Sequence, residues 1–257
     1  MKIFRKGTLT GMSIGILGHC FFSTAAVFSA QIEDGRWVLE RIDENLTSEN
    51  RIFKAKMIVH GRRGSRTMEF MAWTQGEEKS FTEYLAPARE KGTKMLKLED
   101  KLWMYSPSTD RIIQISGHML RQSVMGSDLS YEDMMEDPRL ASHYDAVVSG
   151  DEMVEDRPCL ILTLTARDES TAYHMRRIWV DRERYIPLRE ELYAKSGKLL
   201  KRTQLQALTL IAGRWFPKRI IYKDVLKQGQ GTEFVIDDIQ FDQPIPDYIF
   251  TKAALRR

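Results

Sequence analysis

The side chains of this sequence that could do chemistry crowd into one stretch. Residues 117–138, GHMLRQSVMGSDLSYEDMMEDP, hold His118, Ser127, Asp128 and Asp133, and His143 follows closely. A metal centre or an acid–base pair is what such residues suggest, and their spacing speaks against both. There is no His-x-x-x-His and no paired Cys, and Ser127 lacks the Gly-x-Ser-x-Gly setting of a hydrolase nucleophile. Capping accounts for the same residues more simply. SYED at 130–133 has the form of a capping box opening a short helix, Pro138 ends that helix, and Ser127 with Asp128 make the turn before it. The sequence thus offers no catalytic residue, no metal ligand and no cofactor site.

What the stretch does offer is apolar and adaptable. Met119, Leu120, Val124, Met125, Leu129, Met134 and Met135 alternate with its polar residues, and methionine, unbranched and polarizable, repacks around partners of varying shape. Such a segment is either a plug packed permanently on a core or a lid that moves when cargo enters, with Gly117 and Gly126 as permissive bending points.

The elements that must position it are mostly strands. Trp37, Val38, Leu39, Ile42 and Leu46 recur at helical spacing and predict one amphipathic helix between Ile32 and Leu46. The period then falls to two. Phe53, Ala55, Met57 and Val59 share one face of a strand over 51–60, with Lys54, Lys56 and His60 on the other, and Met68, Phe70 and Ala72 share a face of the next. Further alternating stretches lie at 80–85, 93–98, 101–105, 111–116, 144–149, 159–165, 173–180, 188–194, 199–210, 215–225 and 232–241. Turns such as Pro107-Ser-Thr-Asp110, Ser196-Gly197 and Ala212-Gly213 separate them. The expected fold is mainly β, a single large curved antiparallel sheet of about ten to twelve strands forming a half-open barrel, with helices packed on its concave face. A sheet so large and curved encloses more space than its own side chains fill.

Residues 1–30 read as a secretory signal. Lys2, Arg5 and Lys6 precede an apolar run from Leu9 to Ala30 that ends in small residues, with an uncleaved membrane anchor as the alternative. His19 before Cys20 speaks against a lipid-modified N-terminus. Beyond the leader only Cys159 remains, so no internal disulfide can form and the fold rests on its core. The leader carries three of the 39 basic residues and none of the 36 acidic ones, so residues 31–257 are balanced in charge. No basic stripe suggests nucleic acid.

The stretches LAPAREKGTKML at 85–96, LWMYSP at 102–107, RQSVMGSDLSYEDM at 121–134, RIWVD at 177–181, IPL at 186–188 and SGKLLK at 196–201 together resemble the outer-membrane lipoprotein-sorting protein family. These are periplasmic relatives of the lipoprotein carriers with the LolA-like fold. One departure is Leu129, where the family pattern Gly-Ser-Asp-Phe has an aromatic residue; the apolar character is kept. The resemblance implies a half-open barrel over residues 31–257 whose helical lid holds lipid or acyl chains, and it brings no catalytic residue with it.

The expected function is a periplasmic carrier that moves lipid or lipoprotein acyl chains towards the outer membrane. The protein would act as a monomer with an inner-membrane transporter as a candidate partner. The side chains expected to line its cavity are Phe53, Met57, Met68, Phe70, Leu96, Leu98, Leu160, Leu162 and Leu164 from strands, with Met119, Leu120, Met125, Leu129, Met134 and Met135 from the lid. Two rivals stay open: a non-catalytic binding or sensor module of the envelope, and an enzyme on envelope lipids, which would need a convergent polar cluster in the cavity. Glu90-Lys91-Gly92-Thr93 is a hairpin turn that could meet a head group at the cavity mouth, and Lys227 reads as a plain surface residue.

Overall fold

A computed structural model describes residues 34–62, 64–169 and 171–257. The signal expected over 1–30 lies outside the described residues. Thirteen strands form one sheet in the order β6-β5-β4-β3-β2-β1-β13-β12-β11-β10-β9-β8-β7, antiparallel throughout and not closed into a barrel. They are β1 (Asn50–Gly61), β2 (Gly64–Gln75), β3 (Lys79–Ala86), β4 (Lys94–Leu98), β5 (Lys101–Ser106), β6 (Arg111–Ile115), β7 (Tyr144–Val154), β8 (Arg157–Ala166), β9 (Met175–Asp181), β10 (Pro187–Tyr193), β11 (Leu199–Ile211), β12 (Arg214–Asp224) and β13 (Gly231–Phe241). Each alternating stretch in the sequence became a strand, so the sheet slightly exceeds the ten to twelve expected.

The chain path explains why residues 117–138 lie where they do. The strand β1 sits mid-sheet against β13, from which β2 to β6 step outward to one edge and β7 to β13 step inward from the other. The connection from β6 to β7 must therefore travel from one edge of the sheet to the opposite one, and it does so across the concave face. Register shifts within β1/β13, β2/β3, β7/β8, β9/β10 and β10/β11 sharpen the twist of the strands and help the sheet curl beneath it.

Parity within the strands sorts the core into two faces. Phe53, Ala55, Met57, Val59, Met68, Phe70 and Ala72 all point to the concave side and join one cluster with Val124, Met125 and Met134. On the same side but at the other end, Leu160, Leu162 and Leu164 of β8 pack under helix α1 (Gly35–Leu46) through Val38, Leu39 and Ile42. Asp34 caps that helix by accepting a hydrogen bond from the Arg36 amide at 2.9 Å. Gly35 lets it sit close, since a Cβ there would lie 2.6 Å from the Ala146 carbonyl oxygen of β7. Trp37, part of the predicted apolar stripe, is 43% exposed and stands edge-on to Tyr185.

The opposite, convex face has a cover that the alternation does not reveal. Ile245, Phe250, Ala254 and Leu255, in and before two 3-10 turns at the C-terminus, pack over Phe81, Leu96 and Trp103 of β3, β4 and β5. The chain start thus covers β7 to β9 while the chain end covers β3 to β5.

One buried carboxyl ties α1 to the end of the crossing connection. Asp43 accepts hydrogen bonds from the Leu140 and Ala141 amides at 3.0 and 2.9 Å, at the start of the short helix α3 (Leu140–His143). Burial, only partly countered by those two amides, raises its pKa from the ordinary 3.8 to about 6. A carboxyl that holds its proton more tightly in the folded than in the unfolded state contributes stability that is full below its unfolded pKa and lost as pH rises through the folded one. Between about pH 4 and pH 6 this group's contribution should therefore fall with rising pH. Urea titrations of the wild type and Asp43→Asn check this: the stability of the wild type relative to the variant should fall across that range.

Candidate functional site

The concave face and the crossing connection enclose a cavity of about 290 Å³. Phe53, Met57, Phe70, Ala72, Tyr84 and Phe234 form its floor, and Val124, Leu129 and Met134 its roof. The aromatic floor is interlocked: Phe70 stands 6.1 Å from Phe53 and 6.0 Å from Phe234, both edge to face. Arg51, Glu77, Lys79, Lys97 and Glu136 also line it, so an aromatic floor and a methionine-bearing roof, adaptable to apolar guests of variable shape, are joined by charged side chains.

The roof is a chain of short turns: 3-10 turns at Gly117–Arg121 and Val124–Gly126, then helix α2 (Tyr131–Met135). The capping box is formed as expected. The Asp133 amide donates to the Ser130 hydroxyl at 3.2 Å, and the Ser130 amide donates to the Asp133 carboxylate at 2.6 Å. Gly117 and Gly126 have φ of 55° and 71°, and Met125 inside the second turn also lies in the left-handed region at 49°. Asp128 does more than shape a turn. It is buried, accepts hydrogen bonds from the Thr232 hydroxyl at 2.8 Å and the Asp224 amide at 3.0 Å, and its own amide donates to Thr232 at 2.9 Å. The hydroxyl of Ser127, which is fully buried, bonds within its own turn to the Leu129 backbone.

Cations from the sheet grip the roof along its length. Arg66 of β2 donates to the Met125 carbonyl, Lys97 of β4 to the Met135 carbonyl at 3.2 Å, and Lys227 to the Ser127 carbonyl at 2.7 Å. Lys227 is therefore an anchor of the roof and not a plain surface residue. Lys201 of β11 pairs with Asp133, and Arg176 of β9 with Glu136.

These last two pairs form the wall of a second cavity, of about 260 Å³, which shares Arg51, Leu129, Glu136 and Pro138 with the first. Tyr173, Glu190, Thr203 and Tyr222 complete its polar lining, and Leu205 and Phe216 its apolar one. Burial alone would raise Asp133, but the Lys201 ammonium and the Tyr173 and Ser130 donors outweigh it and hold the carboxyl below the usual range. Burial pushes Glu190 upward, with Arg176 pulling the other way, and among the described residues its carboxyl has no hydrogen-bond partner. The guanidinium of Arg176 lies over the rings of Tyr144 and Tyr173 at 5.1 and 5.4 Å.

The sequence-predicted cavity residues divide by place. Phe53, Met57, Phe70, Leu129 and Met134 line the first cavity. Met68, Met119, Leu120, Met125 and Met135 belong to the surrounding cluster without lining it, and Leu120 and Met135 border a separate open depression near Glu99 and His143. Leu160, Leu162 and Leu164 sit under α1. Leu96 and Leu98 face the convex side, beneath the C-terminal turns. The hairpin at 90–93 lines neither cavity. Of the rival metal set, Asp128 and Asp133 are committed to the partners above, His118 is exposed, and His143 lies 3.3 Å from Asp137. Among the described residues no group of three or more His, Cys, Asp or Glu could hold a metal ion. The polar cluster of the second cavity was not found by sequence reasoning. Its signal is a charged residue on the inward parity of a strand, as in Arg176 beside Ile178 and Val180, or Lys201 beside Thr203 and Leu205.

A family model described only as "Uncharacterized protein" matches residues 76–257. No curated protein matches the chain. Among solved structures it is similar to a DUF1329 family protein from Desulfovibrio piger, with 26% identity and a TM-score of 0.79 over 86% of this chain and 97% of that one. It is also similar to a LolA superfamily protein from Nitrosomonas europaea, with 25% identity and a TM-score of 0.71 over 86% and 99%. A domain described as outer membrane lipoprotein-sorting, from Vibrio parahaemolyticus, shares the fold at 22% identity and a TM-score of 0.75 over 87% and 98%.

Proposed function

We propose, for a chain that belongs to the family matched over residues 76–257 and has the LolA-like fold of outer membrane lipoprotein-sorting proteins, that it is a periplasmic carrier of acyl chains. It takes chains of lipid or lipoprotein under the 117–138 roof and passes them on towards the outer membrane. Residues 1–30 serve as its export signal and residues 31–257 as one binding domain. The observation that carries the reading is the largely apolar, partly open cavity between an aromatic sheet floor and a methionine-bearing roof.

Magnitudes favour a closed cavity over a surface groove. A buried methylene is worth about 0.8 kcal/mol, so a sixteen-carbon chain gains roughly 12 kcal/mol in a membrane, which a carrier must nearly match and then give up. The cavity of about 290 Å³ is at the lower bound of roughly 300 Å³ for sites that bury small ligands, so a long chain enters only if the roof lifts. Release is the reverse motion, driven by a partner that prefers the open state. None of these steps needs a bond to be made or broken, and no catalytic role is proposed for any residue.

Purification from the native envelope followed by mass spectrometry of the organic extract tests the reading. The expected result is a stoichiometric amphiphile with at least one long acyl chain. Repeated extracts free of amphiphile, with no uptake of a fluorescent fatty-acyl probe by the purified protein, would overturn it.

A second reading draws on the free sheet edge. Strand β7 pairs only with β8, and its Val147 and Met153 are 65% and 61% exposed, which suits a sensor that docks an envelope protein by adding a strand. That reading gains if the extracts are empty while substitutions at Val147 and Met153 remove a partner that otherwise co-purifies.

A further inference from the structure

The second cavity has a composition that acyl binding alone does not call for. Two cations from the sheet, Arg176 on β9 and Lys201 on β11, flank Leu192 of the strand between them, since Leu192 is the register partner of both. They also converge on a single ring: the Arg176 guanidinium lies 5.4 Å and the Lys201 ammonium 5.9 Å from the centre of Tyr173. The two carboxylates that form ion pairs with them, Glu136 and Asp133, belong to the roof or its end, while the sheet supplies a third, Glu190 of β10, close to Arg176.

The arrangement has a consequence for any state in which the roof is lifted. When α2 and Glu136 leave, their two carboxylates leave with them: Lys201 loses its ion-pair partner, and Arg176 keeps only Glu190 of β10, whose carboxyl burial pushes towards the neutral form. Stranded charges of this kind are costly, and the Nε of Arg176 is already buried without a partner in the closed state. An anionic oxygen cluster is the chemistry that would replace what was lost. Guanidinium and ammonium donate to phosphate or carboxylate oxygens in short, charge-assisted hydrogen bonds, and the hydroxyls of Tyr173, Tyr222 and Thr203 lie in the same lining. The sharing of Arg51, Leu129, Glu136 and Pro138 between the two cavities places the paired cations directly beside the aromatic floor of Phe53, Phe70 and Phe234, which is the layout of an amphiphile.

Resting on the carrier reading, we infer that the second cavity is a head-group site: an anionic head group of the cargo, phosphate or carboxylate, takes the places of Asp133 and Glu136 at Lys201 and Arg176 when the roof opens. The roof carboxylates act as resident stand-ins for the ligand's charge. Closed and loaded states then satisfy the same two cations, and neither leaves them bare.

Competition binding with dodecyl phosphate, 1-O-dodecylglycerol and inorganic phosphate tests this, read as displacement of a fluorescent fatty-acyl probe or by calorimetry for the inorganic ion. In Asp133→Asn/Glu136→Gln the stand-ins are gone, and the preference for dodecyl phosphate over the neutral dodecyl compound should rise by about tenfold, the scale of one charge-assisted contact. A loosened roof would change affinity for both amphiphiles alike, so only their ratio reports the head-group site. Adding Arg176→Met and Lys201→Met to that variant, which leaves neither cation nor stand-in, should bring the ratio to near one. An unchanged ratio across these proteins overturns the head-group site, while binding of the neutral compound would still uphold the carrier. Failure to bind either amphiphile sinks both. Binding of inorganic phosphate as tight as that of dodecyl phosphate, with the same response to the substitutions, assigns the cations to a free anion and overturns the inference.

Discussion

Leu129→Asp combined with Met134→Asp is expected to abolish uptake of a fluorescent fatty-acyl probe while leaving the sheet folded. Both side chains form the roof of the apolar cavity, so both new carboxylates would face the acyl chain. Burying an unpaired carboxylate costs several kcal/mol after relaxation, and two such costs consume most of the roughly 12 kcal/mol that a sixteen-carbon chain can contribute. The sheet keeps its ladders and its separate clusters under α1 and under the C-terminal turns, so the circular dichroism of the strands should not change. Met125 is a poorer target, because it packs against the cluster without lining the cavity. Met153→Asp, at a site already 61% exposed, is the control and should bind as the wild type does. Retention of wild-type affinity by the double variant, with amide exchange in 117–138 unaffected by probe, would mean that the segment is a fixed plug.

Removal of the Asp128 side chain should have the opposite effect on the roof. Its carboxylate joins the roof to β12 and β13 through the Asp224 amide and the Thr232 hydroxyl, and Asp128→Ala leaves both donors buried and unmet. Loss of a charged acceptor of this kind costs about 2–3 kcal/mol. The loss falls on the opening of the roof, because the partner groups remain in their own strands. Amide exchange in residues 117–138 should quicken by roughly 30- to 150-fold, with probe uptake faster and the urea midpoint lowered at unchanged slope. Hydrogen exchange read by mass spectrometry checks it. Unchanged exchange in 117–138 beside a lowered urea midpoint would show instead that Asp128 does not hold the roof.

The sequence makes some of this plain and hides the rest for physical reasons. Alternation in β1 and β2 is legible because one face is apolar and the other charged, so the inward positions of Phe53, Met57, Met68 and Phe70 follow directly. The Ser130–Asp133 capping box is legible because its partners are three residues apart. The strand β4 is different. Both of its faces are covered, and Lys94 to Lys97 are all buried, so apolar character cannot say which side holds the cavity, and Leu96 and Leu98 turn out to face the C-terminal turns. Asp133 shows the other limit. Its cap is local, but its bonds to Tyr173 and Lys201 span 40 and 68 residues, and no local pattern carries such distances. The charges of Arg176 and Lys201 are visible in the sequence, yet nothing local says that these two, and not the other strand cations, turn inward.

The reciprocal covers of the sheet bear on how the chain folds. Helix α1, which precedes β1, completes the core of β7 to β9, and the C-terminal turns, which follow β13, complete the core of β3 to β5. Neither meander can therefore bury its own apolar face until the far end of the chain has arrived. Such long sequence separations raise the contact order and slow the search, and they bind the two halves into one cooperative unit that gains most of its stability at the last step. A sheet locked this way can loosen the 117–138 roof without loosening its frame, because the roof takes no part in the exchange that locks the halves together.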